Sequence, residues 1–342
     1  MRTNASIEEW GRLYESATRI KEMKPWDYLW DLDIVGILTG DNPEDTVFYS
    51  ILGKGGTCLG ITVYEGYDAL NSFFLLTMQD VLNVSTEYAM FNQQCLSCYW
   101  GDREELSAKQ RKIIRELGYK YRGKGNWLYF MSFEPGYYPF EPDRDEVLRM
   151  TEHLENFEKA FACYLDEKIQ IDFENGNMFS FVFSDDKKSR KFGEEPLPFS
   201  SYNFGNLIIT DKEMLTQLRE APHANAVLEL EIIPLGVSVA DKKYDRPINM
   251  MAAVIADAKS GTIISCKMAG PDEDVNIVLV NELLAFIDDV GAPREILVSN
   301  VILEAVIEQI CDICGIKRKK VRRLKATGEF FNAMKHFGRH KD

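Results

Sequence analysis

The chain has little of what builds a secreted scaffold or a membrane protein. Seven cysteines in 342 residues, odd in number and scattered, exclude a disulfide framework and fit reduced thiols. No window approaches the roughly 18 consecutive apolar residues of a membrane span. The opening MRTNASIEEWGRLYES has no apolar core of signal-peptide length. Together these place the chain in the cytoplasm, off the membrane. With four histidines and no nucleophile-elbow pattern, hydrolase chemistry has no anchor. GKGGT lacks the spacing and helix start of a phosphate-binding loop. Net positive charge is missing too: the balance of −14 opposes general adhesion to DNA or anionic lipid, although it says nothing about a local patch.

What is present suits globular α/β modules. With 45% hydrophobic and 12% aromatic residues, the chain can bury sizeable cores, and its length favours two units. Ser6 followed by Glu9 is a capping-box pattern, and apolar spacing predicts a helix over 6–22. DIVGILTG, VFYSILG and TCLGITVYEG read as an antiparallel meander. A helix over 66–78, the strand QQCLSCYW, a helix after Ser107, the strand NWLYFMSF and a helix over 143–165 follow. The order is βββαβαβα. Residues 168–226 read as a hairpin turning at Asn175-Gly176 and then a polar linker. From 227 the order repeats: ELEIIPLGVSV, then a hairpin of MAAVIAD and TIISCKM around Lys259-Ser260-Gly261. A helix, the strand EILVS, the helix VILEAVIEQICDIC, the strand IKRKKVRRL and the helix GEFFNAMKHF complete it. The expected fold is α/β with mixed sheets: module 1–167, hairpin and linker 168–226, module 227–342. The likeness of the two hairpins suggests an internal duplication.

That element order resembles the ribonuclease H-like fold, whose nuclease members hold two divalent metals with carboxylates from the first strand, the end of the fourth strand and the closing helix. Here the fourth strand ends at neutral Asn300. The first strand offers Glu229 and Glu231 or, past its end, Asp241, and the closing helix offers Glu329. Asp257 falls at the hairpin turn, where an aspartate ordinarily bonds the backbone two residues on. Glu231, Asp257 and Glu329 are thus the candidate ligands of a Mg or Mn nuclease or transposase-like enzyme, and the missing acid at 300 favours a chain without a cofactor. Over most of its length the chain also resembles bacterial proteins carrying two adjacent domains of unknown function. The segments KPWDYLWDLDIVGI, ILGKGGTCLGITVYEGYDAL, LGYKYRGKGNWLYFMSFEPGYYPF and RPINMMAAVIADAKSGTIISCKMAGPDED carry that likeness. It implies an architecture and transfers no catalytic residue.

Local features carry the remaining candidates. Residues 311–342 hold ten Lys/Arg against three Asp/Glu, a net +7 that leaves −21 on the rest. Lys317, Arg318, Lys319, Lys320, Arg322, Arg323 and Lys325 form a stripe suited to phosphate contact through counterion release, or to guarding an edge strand. Cys311, Cys314, His336 and His340 have metal-like spacing, but the gap of 21 residues exceeds that of a zinc finger and the cysteines suit helix packing. Cys95 and Cys98 fall in a strand, where side chains three apart face opposite ways. Trp26, Tyr28, Trp30, Trp127, Tyr137 and Tyr138 are candidates for an interface or for core. The expected function is a non-catalytic binding or scaffolding protein for a protein or nucleic-acid partner.

Overall fold

Helix α1 (Ile7–Met23) starts where its cap predicts: Ser6 Oγ accepts from Glu9 N and the Glu9 carboxylate accepts from Ser6 N. The computed structural model describes residues 2–183, 190–198 and 207–338. After α1 come β1 (Val35–Leu38), β2 (Thr46–Leu52), β3 (Leu59–Glu65), α2 (Gly66–Thr77), α3 (Gln79–Leu82), α4 (Thr86–Phe91), β4 (Cys95–Gly101) and α5 (Ala108–Glu116). Then follow β5 (Trp127–Phe133), α6 (Arg144–Asp166), β6 (Asn177–Phe183), β7 (Arg190–Pro196) and α7 (Lys212–Glu220). The rest is β8 (His223–Val239), β9 (Ile248–Asp257), β10 (Ile263–Ala269), α8 (Val275–Val290), β11 (Ala292–Val298), α9 (Val301–Val306), α10 (Glu308–Cys314), β12 (Lys317–Lys320) and α11 (Ala326–Gly338).

The chain divides into two units. Unit 1 takes Met1–Phe73, Gln93–Glu134 and Pro139–Ser200. Unit 2 takes Phe74–Asn92, Pro135–Tyr138 and Ser201–Asp342, so two stretches expected in the first module sit in the second.

Unit 1 is built on a seven-stranded sheet in the order β5-β4-β3-β2-β1-β6-β7. Apolar residues at every second strand position, such as Val47, Tyr49 and Ile51, share a cluster with Leu13 and Ile20 of α1 and with Leu154, Phe157 and Phe161 of α6. The element order is as expected, but its topology is not ribonuclease H-like. β4 and β5 extend the meander antiparallel beyond β3, where that fold needs parallel strands beside β1. β5 at the edge alternates half-buried and buried residues, the pattern of an antiparallel strand. The hairpin expected at Asn175-Gly176 is absent. Gly176 (φ 77°) instead closes a single 3-10 turn, and β6 runs parallel to β1 and pairs with β7. Part of the expected linker is therefore strand; residues 184–189 and 199–206 lie outside the described residues.

Unit 2 is built on a five-stranded sheet in the order β10-β9-β8-β11-β12, with β8, β9 and β10 antiparallel and β11 and β12 parallel to β8. Leu228, Leu230 and Ile232 of β8 cluster with Leu279, Leu283 and Ile287 of α8. On the other face Ile233, Ala252 and Val254 cluster with Phe330 and Phe331 of α11. The helix expected over VILEAVIEQICDIC breaks at Ile307 (φ −95°, ψ 0°), in a stretch crowded with β-branched residues. The basic strand is shorter than expected, ending at Lys320.

Candidate polyanion interface

Seven cations in nine positions make poor core, and β12 accordingly forms an edge of its sheet, where a strand has a neighbour on one side only. Two of the seven are neutralised locally. Lys317 lies 3.0 Å from Glu295 on β11, and Arg318 reaches Glu308 at 2.8 Å and Asp312 at 3.1 Å on α10. Lys319, Lys320, Arg322, Arg323 and Lys325 are exposed, and none of them forms an ion pair among the described residues.

The backbone beneath these five is held at several points. Val321 N donates to Val298 O at 2.9 Å, continuing the ladder past the strand. Asn83 Nδ2 donates to Ser299 O at 2.5 Å and to Arg322 O at 3.4 Å. Leu324 is buried. Lys325 N and Thr327 N each donate to the Glu229 carboxylate at 3.1 Å, and Thr327 Oγ1 donates to Glu231 Oε2 at 2.5 Å. The cationic side chains thus project from a fixed segment, so less chain entropy opposes their engagement.

Glu229 and Glu231 sit two apart on β8, on the face opposite Leu228 and Leu230. Glu229 is almost fully buried, and its two backbone donors belong to the first turn of α11, where an anion complements the helix dipole. Burial pushes the Glu231 carboxyl above its ordinary range; the Thr327 hydroxyl pulls it back, and the Glu229 charge adds to the rise.

Two of the expected metal ligands, Glu231 and Asp257, are otherwise engaged. Asp257 Oδ1 accepts from Ser260 N at 2.6 Å, Ser260 Oγ at 2.7 Å and Lys259 N at 3.2 Å, which hold its carboxyl below the usual range. Gly261 (φ 75°) supplies the left-handed position, so this is turn chemistry. Asn300 Oδ1 accepts from Leu303 N at 2.9 Å and caps α9, which gives the neutral residue at the end of β11 a structural duty. Glu329 is exposed on α11. Among the described residues, no group of three or more His, Cys, Asp or Glu side chains could hold a metal ion.

Cys311 and Cys314 are buried in the core of unit 2; burial pushes the Cys311 thiol up to about 12, and Cys314 Sγ lies 3.3 Å from Leu218 O. The His336 side chain and His340 lie outside the described residues. Burial likewise raises Cys95 to about 12 and Cys98 well above the thiol range.

The aromatic candidates divide between the units and between core and surface. Trp26 is buried against Trp100, with ring centroids 5.2 Å apart. Tyr28 and Trp30 are each 52% exposed, with Lys54 Nζ 5.2 Å over the Trp30 ring. Trp127 is half-buried, with Arg103 at 5.8 Å. Tyr137 and Tyr138 belong to unit 2, where Arg246 stacks on Tyr137 at 3.9 Å and Phe91 lies 5.5 Å from Tyr138.

The model of a domain of unknown function, DUF7309, matches residues 10–180. The chain belongs to the DUF7309 family. A second domain of unknown function, DUF6930, matches residues 214–335 of this DUF7309 protein, so two such domains lie side by side. No curated protein matches it. A chain in the cryo-EM structure of the simian T-cell lymphotropic virus intasome in complex with PP2A regulatory subunit B56 gamma is similar at 14% identity and a TM-score of 0.24. The match covers 36% of this chain and 45% of that one, less than half of its length. No helix among the described residues is long and apolar enough to cross a membrane.

Asn83 and the Glu229–α11 contact went unforeseen. The one signal for the second was a Glu-x-Glu pair inside an otherwise apolar strand, where a charge persists only with a partner.

Proposed function

We propose that this DUF7309 protein is a binding protein that grips nucleic acid, without turning it over, through the basic edge of unit 2. The observation that carries this reading is the set of five exposed cations, Lys319, Lys320, Arg322, Arg323 and Lys325, that form no ion pair among the described residues, on a backbone held by Asn83, Val298 and Glu229. Free cations on a held segment release phosphate counterions at low ordering cost. The three antiparallel strands followed by two parallel ones support a ribonuclease H-like frame for unit 2. Both Glu229 oxygens and Asp257 Oδ1 already accept from backbone donors, which favours binding over metal-dependent cleavage.

The test is the salt dependence of binding to labelled DNA and RNA. Neutralising Lys319, Lys320, Arg322 and Arg323 together removes up to four phosphate contacts. The slope of log affinity against log salt then falls by roughly 3 to 4 on duplex DNA. An unchanged slope overturns the basic edge as the site, and Mg- or Mn-dependent cleavage lost in Glu329→Ala overturns the non-catalytic reading.

A further inference from the structure

The two edges of the unit 2 sheet are treated differently. The β12 edge carries Lys317, Lys319 and Lys320, all exposed, the kind of charge that blocks strand addition. Among the described residues the opposite edge, β10, pairs with β9 alone and shows Ile264 (42% exposed) and Met268 (40% exposed) to solvent. Its single cation, Lys267, leans 4.0 Å from Glu282 of α8, and the same carboxylate takes Ser265 Oγ at 2.5 Å.

We propose that β10 pairs antiparallel with β10 of a second copy of this chain, centred on Cys266. The charges select both the occupant and the register. About Cys266, Ser265 faces Lys267 in both directions, and the exposed Ile264 at the register shift comes beside Met268. Because Glu282 already holds Ser265, each Lys267 then arrives beside the other copy's Glu282. A pairing centred on Lys267 sets two lysines directly opposite, which is destabilising, and one centred on Ser265 sets Lys267 against the irregular start of the strand. The register shift between Ile263 and Ser265 twists only the start of the strand and leaves 265–269 regular. A ladder this short falls below the size of a standard protein interface, so the dimer forms in the micromolar range. The combined sheet has ten strands with a basic edge at each end. The pairing stands whether or not those edges bind nucleic acid.

Sedimentation across micromolar concentrations tests it: the mass doubles for the wild type and stays monomeric for Met268→Lys, with an unchanged thermal transition because Met268 is already exposed. A second measurement does not depend on that variant. Residues opposite one another across antiparallel strands have Cα atoms about 4.5–5.5 Å apart, inside the disulfide range. Cys58 and Cys266 are the two free cysteines that are not buried. In a Cys58→Ser background, diamide takes up the two Cys266 thiol hydrogens as the S–S bond forms, giving a covalent dimer that Cys266→Ser abolishes. A chain monomeric at every concentration, a dimer that Met268→Lys leaves intact, or a dimer that diamide fails to cross-link through Cys266 overturns the proposal.

Discussion

Helix α6 of unit 1 and helix α11 of unit 2 must both satisfy the unbonded N–H groups of their first turns, and they do so by opposite routes. In α6 the solution is local. Asp143 Oδ1 accepts from Glu146 N at 3.0 Å; Glu146 Oε2 accepts from Asp143 N at 2.8 Å and from Arg2, while its Oε1 accepts from Ser132. In α11 the acceptor is Glu229, which reaches Lys325 and Thr327 from a strand 96 and 98 residues earlier. A local cap fixes where a helix begins. A distant cap also fixes where it docks, and here it sets the position of the basic segment that leads into it. The difference follows from topology. β11 and β12 return parallel beside β8, so the chain leaving β12 enters α11 over the carboxylates of β8. In unit 1, β4 and β5 run antiparallel on the far side of β3.

The largest effect that would break this comparison is Glu229→Ala. It strands two backbone N–H groups, of which Thr327 N is fully buried, and leaves Glu231 without its neighbour. We expect a loss of about 2–4 kcal/mol in unit 2, given roughly 1–3 kcal/mol for each buried donor left unsatisfied. Hydrogen exchange of the β8 and α11 amides reads it directly. All five tryptophans lie in unit 1, so fluorescence follows the other unit separately. Unchanged protection at α11 would show that the contact does not hold the helix.

The local cap should matter less. Asp143→Ala removes one acceptor at a helix start that water can reach, for about 1 kcal/mol, the usual cost of losing an N-cap. Denaturation followed by tryptophan fluorescence measures it, and a loss as large as that of Glu229→Ala would erase the contrast between near and distant caps.

The same contrast explains what could be read from sequence. Ser6 with Glu9 is a spacing of three residues and announces its helix. Most strands of both sheets were legible for the same reason, since alternation is local. The hairpin of β9 and β10, with Asp257 at its turn, was legible because an aspartate, a glycine and two apolar runs are neighbours in the chain. The topology of unit 1 was not, because one element order fits either side of a meander and only side-chain packing across strands decides. Nor was the duty of Glu229, since its partners lie about a hundred residues away and share no pattern with it. The seven cations were plain in the sequence. That two of them are neutralised by Glu295, Glu308 and Asp312, while five form no ion pair among the described residues, required the fold.

Glu231 should give the smallest effect and the sharpest sign. Unlike Glu229 it meets a hydroxyl rather than backbone donors, and burial beside a second carboxylate raises its pKa in the folded state. A carboxyl raised on folding binds its proton more tightly in the native state, so its contribution weakens stability as pH climbs from the ordinary glutamate range through the raised folded value. At neutral pH the charged form is therefore a cost. Glu231→Gln keeps an acceptor for the Thr327 hydroxyl and removes the charge, so it should fall within about 1 kcal/mol of the wild type, on the stabilising side at neutral pH. The difference between the two proteins should shrink as pH falls and Glu231 takes up its proton. Paired pH titrations of unit 2 stability test this. A glutamine variant that is destabilised at neutral pH, with the gap closing toward acid, would mean that the Glu231 charge is needed to hold Thr327, and both carboxylates would then belong to the cap of α11.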